Sequence, residues 1–137
     1  MIKKNYIYVI LPIIAIILEL LPWGAVLKFA GEQKADGTFE YIYHTEPYFS
    51  PLPFGFANFG PLLTAVLTCI LFILGIILVI GKKEKLLDSI KVFLGVAIAT
   101  SLMPLVYGLD FFSVVGALIS AVLILEFVIV VMNKNRN

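Results

Sequence analysis

Long apolar runs alternate with short polar segments along this chain of 137 residues. Each run has about 20 residues, the length of an α-helix that crosses a hydrocarbon core about 30 Å thick. A helix satisfies its own backbone hydrogen bonds in lipid, and no run shows the alternation of a barrel strand. The pattern therefore predicts four transmembrane helices, at residues 6–27, 61–80, 86–107 and 111–132.

Composition supports a membrane protein, because 61% of the residues are hydrophobic and only 14% are charged. Soluble domains have about 45–50% apolar and about 25% charged residues. The fold class that we predict is an all-α integral membrane protein, in which residues 1–137 form a single four-helix domain. The net charge of +1 gives no attraction to nucleic acid, so the bilayer is the first expected partner.

The positive charges predict an orientation, because lysine and arginine are enriched in cytoplasmic loops. With the N-terminus inside, the outside retains only Lys28 and Lys34. The inside then carries Lys3, Lys4, Lys82, Lys83, Lys85, Lys91, Lys134 and Arg136. We expect a multi-pass protein of the plasma (inner) membrane, with both termini cytoplasmic. The frequent isoleucine and lysine suggest a bacterial source.

The segment 28–60 is the one sizeable part that we expect outside the bilayer. Asp36-Gly37 is a strong β-hairpin signal, because a type I′ turn needs positive φ at both central positions. After it, Phe39, Tyr41 and Tyr43 alternate and share one face of a strand. An isolated hairpin is marginal in water, so this aromatic face is expected to lie against the membrane surface or the helix ends.

More aromatic residues follow among prolines, which exclude a continuous helix. Two interpretations stay open for the aromatic segment: an interfacial lid over the bundle, or a surface for another membrane protein or a second copy. The candidate partner-facing residues are Phe39, Tyr41, Tyr43, Tyr48, Phe49, Phe54 and Phe56.

The short turn near residue 109 predicts which positions of the last two helices lie at the same depth. Lys91 and Glu126 are nearly equidistant from residue 109, and each lies inside an apolar run. Charged residues within a membrane usually face the bundle and find partners, so we expect a Lys91–Glu126 ion pair. The alternative is that Lys91 extends alone to the membrane surface.

Glu19 is a carboxylic acid about 12 Å from the outer end of the first predicted span. Thr68, Thr100 and Ser120 lie at similar depths in the other three, which predicts a polar layer. Buried acids mark proton or cation pathways, but an interhelical hydrogen bond to a hydroxyl is the simpler interpretation.

The motifs of common enzyme sites are absent from the sequence. One cysteine permits no internal disulfide, and one histidine among scattered acids is a weak metal site. We therefore predict no catalytic, metal or cofactor site. The expected function is that of a non-enzymatic accessory, structural or interaction subunit. The alternative is a small oligomeric proton-coupled transporter that uses Glu19.

Overall fold

The structure, a computed structural model, describes residues 5–134. Lys3, Lys4 and Arg136, on which the predicted orientation partly depends, lie outside this range. The described part is mostly helical, with one small antiparallel sheet. Its elements are α1 Ile7–Glu19, β1 Ala25–Gln33, β2 Phe39–Glu46, α2 Leu52–Gly55, α3 Gly60–Gly81, α4 Leu86–Leu102, two 3₁₀ turns at Met103–Tyr107 and Leu109–Phe111, and α5 Val114–Lys134.

Within this part, three helices are long and apolar enough to cross a membrane. They are α3, with 22 residues, the stretch Leu86–Tyr107 formed by α4 and its 3₁₀ turn, and Val114–Asn133 of α5. Their positions agree with the last three predicted runs to within a few residues. Continuous apolar sequence thus produced the expected helices.

The first predicted span, 6–27, is wrong in its C-terminal part, because α1 ends at Glu19 and Ala25 already belongs to β1. The 13 residues of α1 rise only about 20 Å. Pro22 has no backbone N–H and disfavours helical geometry at Leu21, so the helix does not continue through this point. The apolar residues that follow are buried as strand rather than as helix.

Strands β1 and β2 pair from Ala25↔Glu46 to Gln33↔Phe39, with a register shift between Ala30 and Gln33. At the turn between them only Gly37 has a positive φ, of 85°, while Asp36 does not. The prediction of a type I′ turn at Asp36-Gly37 is therefore wrong. A five-residue connection, 34–38, joins the strands instead, with Lys34 N donating to Thr38 O at 2.7 Å.

The helices pack around one core in the order α1, α3, α4, α5, and α5 returns to α1. Large apolar side chains such as Leu71, Leu94 and Leu123 are fully buried there. At the crossing of α1 and α3, a Cβ on Gly75 would overlap the carbonyl group of Tyr8. Glycine at this position therefore allows the two backbones to touch.

Candidate functional sites

Glu19 lies at the last residue of α1 and is fully buried. Its Oε1 accepts a hydrogen bond of 2.7 Å from Thr68 Oγ1 on α3. Its backbone carbonyl accepts a hydrogen bond of 2.9 Å from the N–H of Tyr48, in the segment after β2. The aromatic segment therefore covers the end of α1, which explains why a carboxyl group at a helix end is shielded from solvent.

Hydroxyl contacts continue from Thr68 towards the next helix. Thr68 Oγ1 also lies 2.9 Å from the carbonyl oxygen of Thr64, and Thr64 Oγ1 lies 2.9 Å from Thr100 Oγ1 on α4. On the far side of α4, Ser120 donates to Ser101 at 2.9 Å and so joins α4 to α5. These contacts involve residues from Glu19 on α1 to Ser120 on α5.

The structure divides the predicted polar layer into separate pairs. Glu19 contacts Thr68 directly, but Thr100 and Ser120 each contact a residue that sequence reasoning missed, Thr64 and Ser101. Thr64 precedes Thr68 by four residues, so helical spacing was the available signal for it. For Ser101 the sequence held no comparable signal. Ser101 and its neighbour Thr100 lie at almost the same depth, so counting residues along the helix could not show which of them faces Ser120.

The Glu19–Thr68 contact has fewer hydrogens than acceptors. A threonine hydroxyl has one hydrogen, yet Thr68 Oγ1 lies within 2.9 Å of two acceptors, Glu19 Oε1 and Thr64 O. A hydrogen on the carboxyl group of Glu19 would allow all three oxygens to be satisfied. Glu19 Oε2 has no hydrogen-bond partner among the described residues.

The predicted Lys91–Glu126 ion pair is not formed within residues 5–134. Glu126 is fully buried, and neither of its carboxylate oxygens has a hydrogen-bond partner there. Lys91 is half-buried and follows the buried Ile90, so it is turned about 100° from the core face of α4.

The register of the last two helices also differs from the prediction. Ser101 and Ser120 face each other, so the midpoint of the helix pair lies between residues 110 and 111 instead of at residue 109. The midpoint moves because 3₁₀ turns precede α5, whose first residue is Val114. The facing positions therefore shift by three residues, or about 4.5 Å. Glu126 becomes level with Gly95 rather than with Lys91.

On the sheet, the three aromatic residues of β2 are about half exposed, with Tyr41 at 52%. On the opposite face Ile42 is also exposed. Phe54 and Phe56 are exposed too, although they contact Phe59 and Phe29 at ring distances of 4.8 and 5.3 Å. Of the two predicted locations of the aromatic face, the helix ends cover it only in part, and its contact with the membrane surface stays a prediction.

Tyr48 and Phe49 do not belong to the exposed aromatic surface. Tyr48 is only 1% exposed, and Phe49 is half-buried against the core. A Cβ on Gly24 would lie 2.8 Å from the Tyr48 ring, and one on Gly116 would lie 2.9 Å from its hydroxyl oxygen. Two glycines thus leave the space for this side chain, which sequence spacing could not reveal.

One ionic contact ties the sheet to the turn before α5. Lys28 Nζ and the Tyr43 hydroxyl each lie 3.4 Å from Asp110 Oδ2. Lys28 Nζ also lies 4.2 Å from the centre of the Tyr41 ring. Desolvation lowers the pKa of Lys28, but the Asp110 carboxylate and the Tyr43 hydroxyl raise it, and the net shift is upward.

A cavity of about 180 Å³ lies beside the sheet, lined mainly by the aromatic rings of Phe29, Phe56, Tyr107 and Phe111. Asn58 also lines it, is 5% exposed, and has no hydrogen-bond partner for its amide among the described residues. Ordered water commonly satisfies such a group, and a cavity of this size has room for it.

Within the described ranges, no group of three histidine, cysteine, aspartate or glutamate residues could hold a metal ion. His44 Nε2 lies 2.7 Å from Glu46 Oε1, which accounts for the contacts of this histidine. No family model matches the chain, and no curated protein or solved structure matches it either. Arguments about function therefore depend on the geometry described above.

Proposed function

We propose that this protein is a four-span protein of the bacterial plasma membrane, with both termini cytoplasmic and the sheet outside. The lysine distribution supports this orientation. Helix α1 is the fourth span, and the turn at residues 20–24 and the start of β1 complete it. Gly24 to Leu27 are buried, so protein covers the backbone there. Leu20 and Trp23 in the turn are exposed apolar residues, which suit the membrane interface.

In this membrane the protein acts as a non-enzymatic accessory or interaction subunit. The observation that carries this proposal is the exposure of β2, where Phe39, Tyr41, Tyr43 and Ile42 are all at least half exposed. Exposed aromatic residues that are held on a defined backbone are typical of contact surfaces, because they bury large area with few rotatable bonds.

Mild detergent extraction of tagged full-length protein, followed by mass spectrometry, tests this function. We expect a stoichiometric partner, or a second copy, whose recovery falls when Tyr41 and Tyr43 are replaced by serine. Tyr6→Ser is the matched control, because Tyr6 is an exposed aromatic residue just before α1, away from the sheet. Recovery of a lone monomer under repeated gentle extraction contradicts the proposal.

A second candidate, a small oligomeric proton-coupled transporter, is favoured by one observation. Glu19 is fully buried and has a carboxylate oxygen without a partner in the described structure. Four helices of this size enclose no pathway by themselves, so at least a dimer would be needed. In vesicles, Glu19→Gln would abolish proton-linked flux in a transporter, whereas a loss of thermal stability alone would identify Glu19 as an interhelical clamp.

A further inference from the structure

The outer edge of β2 has no backbone partner in the described structure. The sheet contains only β1 and β2, and the one isolated bridge, Ala25↔Phe112, lies on the β1 side. Seven of the eight residues of β2 are exposed. An open edge of this kind is a template for another strand, and a sheet of two strands gains stability from a third.

We infer that this edge pairs with the same edge of a second copy, antiparallel and with the two-fold axis at Ile42. The product is a four-stranded sheet shared by two subunits. The inference rests on the interaction function proposed above, since it names the partner of that surface. Because a two-fold contact uses the same patch on both subunits, each residue must fit a residue of its own strand.

The direction of the backbone groups restricts where the axis can lie. A Cβ on Gly31 would lie 2.7 Å from Glu40 O, so this carbonyl group points towards β1. By alternation, Ile42 and His44 also direct their backbone groups to β1, while Tyr41 and Tyr43 direct theirs outward. Two residues that lie opposite each other in an antiparallel pair either both direct their backbone groups to the partner strand or both direct them away. An axis between two residues would place an outward residue opposite an inward one, so the axis must pass through a residue.

Charge and side-chain pairing together distinguish the three axis positions at the centre of the strand, Tyr41, Ile42 and Tyr43. An axis at Tyr43 would place Glu40 opposite Glu46 of the second copy, and like charges directly opposite are destabilising. An axis at Tyr41 would place Glu40 opposite Ile42. An axis at Ile42 places Glu40 opposite His44 and Tyr41 opposite Tyr43, so that a carboxylate meets an imidazole and aromatic rings pair twice.

The two-fold axis of an antiparallel pair is perpendicular to the sheet, so the pairing sets a condition on two copies in one membrane. Both subunits enter the bilayer with the same orientation only if one face of the sheet is turned to the membrane. In the self-pairing that we infer, this is the face that carries Lys28 and Tyr43, which both contact Asp110 in the turn before α5.

Disulfide formation at the axis tests the inference on the full chain in isolated membranes. Cys69, the single native cysteine, is first replaced by alanine. Ile42 would form a non-hydrogen-bonded pair with itself, whose Cα atoms are about 4.5 Å apart, so Ile42→Cys lies within the Cα range of a disulfide. In Thr45→Cys, the matched exposed control on the same strand, the two cysteines are about 20 Å apart. We expect roughly tenfold more disulfide dimer for Ile42→Cys.

A charge change provides the second measurement. In the Ile42→Cys background, Glu40→Lys faces His44 of the second copy and is expected to reduce the dimer several-fold. Glu32→Lys makes the same charge change on exposed β1 and is expected to leave it unchanged. Equal or absent crosslinking at positions 42 and 45 overturns the inference. The inference also fails if Glu40→Lys and Glu32→Lys change the amount of disulfide dimer equally. If a different stoichiometric partner is recovered while position 42 does not crosslink, the interaction function survives and the self-pairing fails.

Discussion

Hydrogen bonds between side chains occur in two settings in this protein, the interior of the helix bundle and the exposed sheet. In the bundle, the Glu19–Thr68 contact of 2.7 Å is fully buried and joins two helices. On the sheet, the Lys28–Asp110 contact of 3.4 Å is reached by water. A lost partner leaves an unsatisfied group in the first setting, but water replaces it in the second. Comparable substitutions should therefore have unequal effects.

The two tyrosines Tyr48 and Tyr41 should differ most. Tyr48→Ala removes a buried ring and is expected to lower the free energy of unfolding by about 3–5 kcal/mol, as for other large core aromatics. Tyr41→Ala, at a half-exposed position, should lower it by less than about 1 kcal/mol. Thermal unfolding of the purified protein in detergent measures both. Equal effects would show that Tyr48 does not support the fold as its burial indicates.

Two glycines of the long helices form the next pair. Gly75→Ala places a Cβ against the Tyr8 carbonyl group and should destabilise the protein by about 1–3 kcal/mol. No atom lies within 4 Å of a Cβ at Gly95. Gly95→Ala is therefore expected to be neutral or to stabilise by up to about 1 kcal/mol, because alanine favours helix. If Gly75→Ala is no more destabilising than Gly95→Ala in the same unfolding assay, this description of the α1–α3 contact is wrong.

Thr68→Val should destabilise the protein by no more than Gly75→Ala does, by about 1–3 kcal/mol, because it removes the donor to Glu19 Oε1 while preserving shape. Thr45→Val makes the same change on exposed β2 and is expected to stay within about 0.5 kcal/mol. If adding Glu19→Leu to Thr68→Val restores stability, the loss came from the unpaired carboxyl group. Without such restoration, the role of Thr68 is not that of a partner to Glu19.

The smallest effect concerns pH at the tip of the sheet. The Thr38 hydroxyl and then the Thr38 N–H, which donate to Asp36 Oδ1 at 2.6 and 2.9 Å, lower the pKa of Asp36. A lowered pKa in the folded state means that this stabilisation is present above the pKa of the unfolded chain. It is lost as pH falls through the lower folded value.

Titration of the Thr38 amide resonance by NMR measures this pKa. In Thr38→Val, whose side chain cannot donate, the pKa of Asp36 should rise towards the ordinary range. An unchanged midpoint would show that the hydroxyl is not the main cause of the shift. Glu40→Gln, a change of charge on the neighbouring strand, is the control and should leave the midpoint in place.

Much of the fold could be predicted from the sequence, because a membrane helix depends on local composition. The helices α3 and α5 and the Leu86–Tyr107 stretch agree closely with apolar runs of the right length. The first apolar run gave a helix that is too long at its C-terminal end. Its last residues, Ala25, Val26 and Leu27, belong to a buried strand, which needs apolar side chains as a membrane helix does. Hydropathy does not distinguish these two environments.

The candidate sites were less predictable. The depth of Glu19 was counted from a first span that runs to residue 27. Glu19 contacts Thr68 as expected, although α1 already ends at Glu19 and the count itself was wrong. The direction of a side chain around the helix also depends on how neighbouring helices pack. For that reason Glu126 is buried without Lys91. Tyr48 lies inside the protein while Tyr41 lies outside because Gly24 and Gly116, which are distant in sequence, leave space for the Tyr48 side chain.

By itself, the sequence determined the positions and lengths of the last three long helices, because backbone hydrogen bonding in an apolar run is local. It also determined the Asp36-Gly37 reversal, since only glycine adopts positive φ there without strain. The tertiary structure alone decided the three-residue register between α4 and α5 and the Ser101–Ser120 contact. Those features depend on the 3₁₀ turns between the two helices, and they arise only when the helices pack together.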